Sequence, residues 1–187
     1  RGAADRVALL LQPRLEEAAD GEDLARRKQH GRAGTWRLHR GRGRECAGPR
    51  VVDLGARQGV AVPCDQGLAP GDKHMRVARC PAGRMIHLDQ GEPVNYCRPA
   101  ADPLFETAAA AFGSRLLCVV LTGMGHDGRA GAGKIVEAGG RVIVQDEATS
   151  VVWGMPGAIA QAGYAEAVKP LKDLSQLALR MMSGEAA

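Results

Sequence analysis

The stretch Leu116-Leu117-Cys118-Val119-Val120-Leu121-Thr122-Gly123-Met124-Gly125-His126-Asp127-Gly128 decides the fold. Its six apolar residues in a row are too few for a helix and are bounded by turn formers, the pattern of a strand buried on both faces of a parallel sheet. Helical sequence follows the glycine loop from Arg129 to about Ala138, Gly139-Gly140 stops it, and Arg141 to Val144 is the next strand. Strand, tight loop, helix and strand in so short a span make a βαβ unit, which requires a parallel pairing and a right-handed crossover.

The pattern continues in both directions. Downstream, a helix follows Met155-Pro156, a short strand is expected around Ala165 to Val168, and Leu171 to Met182 is amphipathic, with Leu171, Leu174, Leu177 (or Ala178) and Met181 on one face. Upstream, Pro103 opens a helix from Leu104 to Phe112, where a missing N–H costs nothing, and Gly113 stops it. His74 to Ala78 and Arg84 to Leu88 alternate around Pro81-Ala82-Gly83, which predicts a hairpin or a pair of edge strands. From Gly67 onward the expected class is therefore α/β: a doubly wound, mostly parallel sheet with helices on both faces.

The first 66 residues read differently. The whole chain, 187 residues with 45% hydrophobic and 25% charged side chains, fits one globular domain. Its net charge of +4 lies entirely in residues 1–66, which hold 13 basic against 9 acidic side chains, and the remainder balances. Arg26 to Arg50 carries nine basic residues and one acid, Glu45, the charge of a nucleic-acid-binding tail. A helix is expected around Ala8 to Ala19, but Gly21 to Gln66 shows neither helical nor alternating periodicity. Arg, Ala, Gly and Pro supply 34 of these 66 residues and no serine occurs before Ser114, a mixture that GC-rich DNA yields when read in a wrong frame. Two readings stand: a frameshifted segment replacing the start of the domain, or a basic, disordered arm.

Composition excludes several classes. Aromatics at 3% leave no base-stacking platform, so nucleic acid is not an expected partner. No apolar run approaches the length of a membrane span and the first residues lack a signal-peptide pattern, so the expected location is the cytoplasm, without membrane insertion. Cys46, Cys64, Cys80, Cys97 and Cys118 are odd in number and without CxxC spacing, so neither a disulfide framework nor a zinc site is expected.

Ligands of open parallel sheets bind beyond the carboxyl ends of the strands, where Thr122 to Gly128 lies. Gly123, Gly125 and Gly128 permit tight turns and present amides at a helix start, able to hold a phosphate or an oxyanion; the spacing is neither GxGxxG nor a Walker loop. Asp127 reads either as the N-cap of the following helix or as a functional carboxylate, and His126 as a surface residue. Gln145 to Ser150, on the same edge, offers two acids and two hydroxyls, in no metal-specific spacing, and reads as a solvated loop.

Several motifs in order carry a resemblance. Leu121 to Gly128, Glu137-Ala138-Gly139-Gly140 and Gln145-Asp146-Glu147-Ala148-Thr149-Ser150-Val151-Val152-Trp153-Gly154-Met155-Pro156 resemble the catalytic domain of the chemotaxis receptor-glutamate methylesterases (CheB-type). Leu68-Ala69-Pro70-Gly71-Asp72-Lys73-His74-Met75, Pro93-Val94-Asn95 and Arg98-Pro99 match too, so the likeness runs from about residue 67 to 182. It implies hydrolysis of receptor glutamate methyl esters, in many members also deamidation of receptor glutamines, with methyl-accepting chemotaxis receptors as partners. It also implies a Ser-His-Asp triad in which Asp127 orients the histidine, while the loop of Gly123, Met124 and Gly125 borders the oxyanion site through the Met124 amide. Neither metal nor cofactor is expected, because the same histidine protonates the leaving methoxide.

The N-terminal third departs from the family. Its nucleophile lies in a Gly-Ala-Ser-Thr-Gly-Gly type turn that has no counterpart here, and its Gln-His-Met-Pro segment is echoed only by Gln29-His30, followed by Gly31-Arg32. A receiver domain of the kind that commonly precedes the catalytic domain is not present in this chain. The expectation is a methylesterase-type domain whose own activity fails for want of the nucleophile. The alternative is a non-catalytic receptor-binding module with a basic arm for acidic surfaces or nucleic acid.

Overall fold

A computed structural model describes residues 7–13, 34–40, 51–53, 66–68, 71–80 and 83–183. The sheet at its centre has five strands: β1 (Val7–Pro13), β2 (Gly34–Arg40), β7 (Leu116–Val120), β8 (Arg141–Gln145) and β9 (Ala167–Lys169), in the order β2-β1-β7-β8-β9. All neighbours are parallel except β1 and β2. Short β3 (Val51–Asp53) and β4 (Gln66–Leu68) pair in parallel, and β5 (His74–Cys80) with β6 (Gly83–Asp89) forms the expected hairpin, His74 opposite Asp89. The helices are α1 (Ala101–Phe112), α2 (Arg129–Glu137), α3 (Met155–Gln161) and α4 (Leu171–Ser183).

Alternation along the apolar run builds both faces. Leu116, Cys118 and Val120 pack with Val142 and Val144 of β8 against Leu104, Phe105 and Ala108 of α1, Ile135 of α2 and Ile159 of α3. Leu117, Val119 and Leu121 turn the other way, with Ile143, onto Leu174, Leu177 and Met181 of α4. Full burial of each such side chain contributes about 1.5–3 kcal/mol, so β7 is the hub of both cores. The α/β class with helices on both faces is thus the observed one. Leu171 departs from the expected apolar stripe: at the first turn of α4 it is half exposed, so the buried face begins at Leu174.

Two differences from the sequence reading concern local ambiguity. Helix α1 starts at Ala101, two residues before Pro103, which still lies in the first turn where its lacking N–H has no intrahelical role. In place of a helix around Ala8 to Ala19, Val7–Pro13 is a strand paired with β7 from Val7 opposite Leu116 to Leu11 opposite Val120. A short apolar run satisfies either template, and the long-range parallel pairing decides between them. β2 and β3 lie within the aperiodic segment 21–66; most of that segment, with the Arg26 to Arg50 stretch apart from β2, falls outside the described residues. Among the described residues no helix is long and apolar enough to cross a membrane.

Candidate functional site

The loop after β7 is held by the loop after β8. Gln145, at the end of β8 and 1% exposed, accepts the Thr122 N–H at 2.8 Å and donates to the Thr149 carbonyl at 2.6 Å. The Thr122 hydroxyl donates to the Val152 carbonyl and accepts the Val152 N–H at 2.8 Å, while the Trp153 indole donates to the Gln145 carbonyl at 3.0 Å. Gly123 gives its N–H to Val152 and takes that of Met155. The two loops approach so closely that a Cβ on Gly154 would lie 2.7 Å from the Gly125 nitrogen and 2.8 Å from the Gly123 carbonyl oxygen. Gly125, at φ 85°, then swings the chain outward in a conformation glycine accepts without strain.

Of the three loop residues expected near an oxyanion, Gly123 has its amide consumed by this pairing. The Met124 N–H donates to no group among the described residues, and its side chain is exposed, as are those of Val151 and Val152 in the neighbouring loop.

Asp127 does not cap its own helix. The N-cap of α2 is Gly128, at φ 86° and without a side-chain cap. The Asp127 carboxylate instead turns to the start of α1, where Oδ2 accepts the Ala101 N–H at 2.6 Å and Oδ1 that of Asp102 at 3.3 Å. Asp102 returns the arrangement, its Oδ1 accepting the Gly131 N–H in the first turn of α2 at 2.7 Å. Each helix start is thus capped by the other's aspartate, which satisfies orphan amides and sets both carboxylates in the positive ends of the helix dipoles. Glycine makes this possible, since a Cβ on Gly131 would sit 2.5 Å from the Phe105 Cβ and one on Gly128 would meet Ala101 at 3.2 Å.

Asn95 joins the two acids. Its Nδ2 donates to Asp102 Oδ2 at 2.9 Å and to Asp127 Oδ1 at 3.1 Å. It occupies a two-residue turn with Tyr96, both at positive φ, closed by mutual backbone bonds between Val94 and Cys97. Around that turn Arg98 grips Asp72 and the Gly91 carbonyl, and the buried His74 donates to the Glu92 carbonyl at 3.0 Å while accepting the Ala100 N–H. A carboxylate offers about four acceptor sites. Among the described residues, three of Asp127's are filled, and the fourth lies on Oδ2. Burial raises its pKa, opposed by the bonds from Ala101 and Asn95 and reinforced by the charge of Asp102.

None of His74, His87 and His126 reaches that acceptor, and His39 lies on β2. His126 and His87 are exposed, and both ring nitrogens of His74 are engaged elsewhere. His30 lies outside the described residues. Ser114 sits before β7, at the opposite end of the strand from Asp127. Ser150 bonds the Asp146 carbonyl within its own loop, and Ser175 and Ser183 belong to α4. In the acidic loop Asp146 accepts the Thr149 N–H and hydroxyl, closing a local turn, and no group of three or more metal-binding side chains occurs among the described residues. Sequence reasoning singled out Asp127 but gave no role to Asn95, Asp102 or Gln145. Asn95 stood within a quoted motif, Asp102 had only the signal of an acid in a first helical turn, and Gln145 that of a polar residue ending a buried strand.

Comparison with known proteins places these elements in a family. A family model described as CheB methylesterase matches residues 56–178. Protein-glutamate methylesterase/protein-glutamine glutaminase 2 of Caulobacter vibrioides is 64% identical over 108 residues, 57% of this chain and 31% of that protein. The protein-glutamate methylesterase/protein-glutamine glutaminase of Nitrobacter hamburgensis is 48% identical over 139 residues, 74% of this chain and 36% of its own. The chain spans about a third of the length of such relatives. Among solved structures, the Thermotoga maritima CheB methylesterase catalytic domain superposes with a TM-score of 0.64 at 35% identity, covering 67% of each chain.

Proposed function

From the premise that this chain belongs to the CheB methylesterase family, we propose that it carries the carboxylate part of a Ser-His-Asp ester hydrolase. The substrates are methyl esters of glutamates on chemotaxis receptors, with glutamine deamidation at the same centre, and the place of action is the cytoplasm. The observation that supports this most is the state of the Asp127 carboxylate: three donors hold it rigidly and one acceptor site of Oδ2 is left. A carboxylate so fixed can hold an imidazole in one tautomer and stabilise the imidazolium that forms as a serine attacks. The Met124 N–H is the loop donor available to a developing oxyanion. Attack forms an acyl-enzyme at the glutamate carbonyl, the histidine hands its proton to departing methoxide, and water then releases the glutamate by the reverse proton path.

The chain in its present form is inactive in this reading, because residues 1–66 contain no serine and an oriented acid alone makes no acyl bond. We take residues 1–55, which precede the family-model match, as a replacement of the domain's beginning. Methanol release from methylated receptor membranes tests both parts. The chain as it stands should release none above background, whereas the same chain with the serine turn and the Gln-His segment restored by translating the parent DNA in its alternative frames should turn over. Turnover by the present chain, abolished by Asp127→Ala, would overturn the first part. A restored, folded chain without methanol release would overturn the second.

A further inference from the structure

We propose that Asn95 is the positioning residue of this site: by dividing its amide between Asp102 and Asp127 it fixes the direction in which the Asp127 carboxylate presents its remaining acceptor. The proposal rests on the reading of Asp127 as the acid that orients a histidine.

Two backbone amides alone leave a carboxylate free to rock about the bond to its β-carbon, because the Asp102 N–H meets Oδ1 at a long 3.3 Å. The Asn95 amide supplies the stronger bond on that oxygen, at 3.1 Å, from a direction set by its companion bond of 2.9 Å to Asp102. Both amide hydrogens are then committed. Asp102 is itself anchored by Gly131 at 2.7 Å, so the chain of bonds runs from the α2 backbone through Asp102 and Asn95 to Asp127. Asn95 is suited to the place twice. Asparagine tolerates the left-handed backbone it adopts, at φ 51°, and no other side chain of its length offers two donors on one atom. The negative charges it separates would otherwise oppose one another across a half-buried space. The neighbouring titratable group on the same segment is Cys97, whose thiol is pushed up by desolvation and, second, by the charge of Asp127.

The test uses the full 187-residue chain, labelled with carbon-13 at the aspartate carboxyls. Asn95→Gly keeps the positive-φ turn and removes the amide; Asn95→Asp keeps the shape and replaces the donors with a third acid. The expected result is that both variants remain folded by far-UV circular dichroism and that the proton affinity of Asp127 rises several-fold in the glycine variant and further in the aspartate variant. An unmoved Asp127 titration in folded Asn95→Gly would overturn the proposal. In the chain with serine and histidine restored, Asn95→Gly should lower kcat with KM unchanged. If Asp127→Asn leaves that chain's turnover intact, the reading of Asp127 fails instead, whatever its titration shows. Loss of fold in Asn95→Gly, where the turn is preserved, would make the residue a structural one and also overturn the proposal.

Discussion

Replacing Gly131 with alanine sets two well-measured tendencies against each other. In an exposed helix the change stabilises by about 1 kcal/mol, since alanine loses less backbone freedom on folding. Here a new Cβ would stand 2.5 Å from the Phe105 Cβ and 3.2 Å from the Asp102 Cα and carbonyl oxygen, all rigid parts of α1. Carbon atoms pack at roughly 3.5–4.0 Å, so α2 must withdraw by about 1 Å. The Gly131 N–H bond to Asp102, now 2.7 Å, would stretch beyond hydrogen-bonding range. Overpacking costs about 1–3 kcal/mol and a bond to a charged acceptor about 1.5–3 kcal/mol, so after the propensity gain the net loss is about 1.5–5 kcal/mol. At this chain length each kcal/mol lowers Tm by roughly 2–4 °C. Urea and thermal unfolding of Gly131→Ala beside Gly133→Ala, whose Cβ would meet only the Tyr164 ring at 3.1 Å, measure the difference. The second variant should lie within about 1 kcal/mol of the parent, because that ring can swing. A Gly131→Ala protein as stable as the parent or more so would refute the close approach of α1 and α2, and with it the reciprocal capping.

Three further outcomes are expected. In the chain with nucleophile and histidine restored, Asp127→Asn should fold, bind receptor membranes and lose up to about four orders of magnitude in kcat with little change in KM, read by methanol release. Because burial raises the Asp127 pKa from 3.8, the folded state binds this proton more tightly than the unfolded chain does. That stabilising contribution is complete below the unfolded value and is lost as pH rises through the folded one, so the parent should lose stability relative to Asp127→Asn across that window in pH-dependent urea melts. Gln145→Ala strands the Thr122 N–H and the Thr149 carbonyl, each costing about 1–3 kcal/mol if left unpaired, and should speed hydrogen exchange at Thr122 and Gly123.

What could be read in advance depended on the range of the forces involved. The run Leu116 to Leu121 and the glycines around Asp127 declare themselves locally, because burial on two faces and a tight turn each leave a short-range mark. Val7–Pro13 does not, since only pairing with β7, over a hundred residues away, selects strand over helix. The partners of Asp127 were hidden for the same reason. An acid before a helix suggests a cap for that helix, and nothing in the order of residues says that it caps another, 26 residues upstream, or that an asparagine in a turn bridges two acids. Leu171 shows the converse failure, a period continued one step beyond where α4 meets the sheet.

The exchange of caps between α1 and α2 makes the site's aspartate part of the scaffold as well. Among the described residues, every group that holds Asp127 belongs to the stretch from Asn95 to Gly131, and the same bonds tie together two of the three helices covering one face of the sheet. A substitution that breaks the aspartate pair would therefore loosen two helices as well as the site, whether or not a serine is present. An intact Gly-Met-Gly-His-Asp-Gly loop therefore testifies to the architecture of such a domain, and the nucleophile alone decides whether it can work as an esterase.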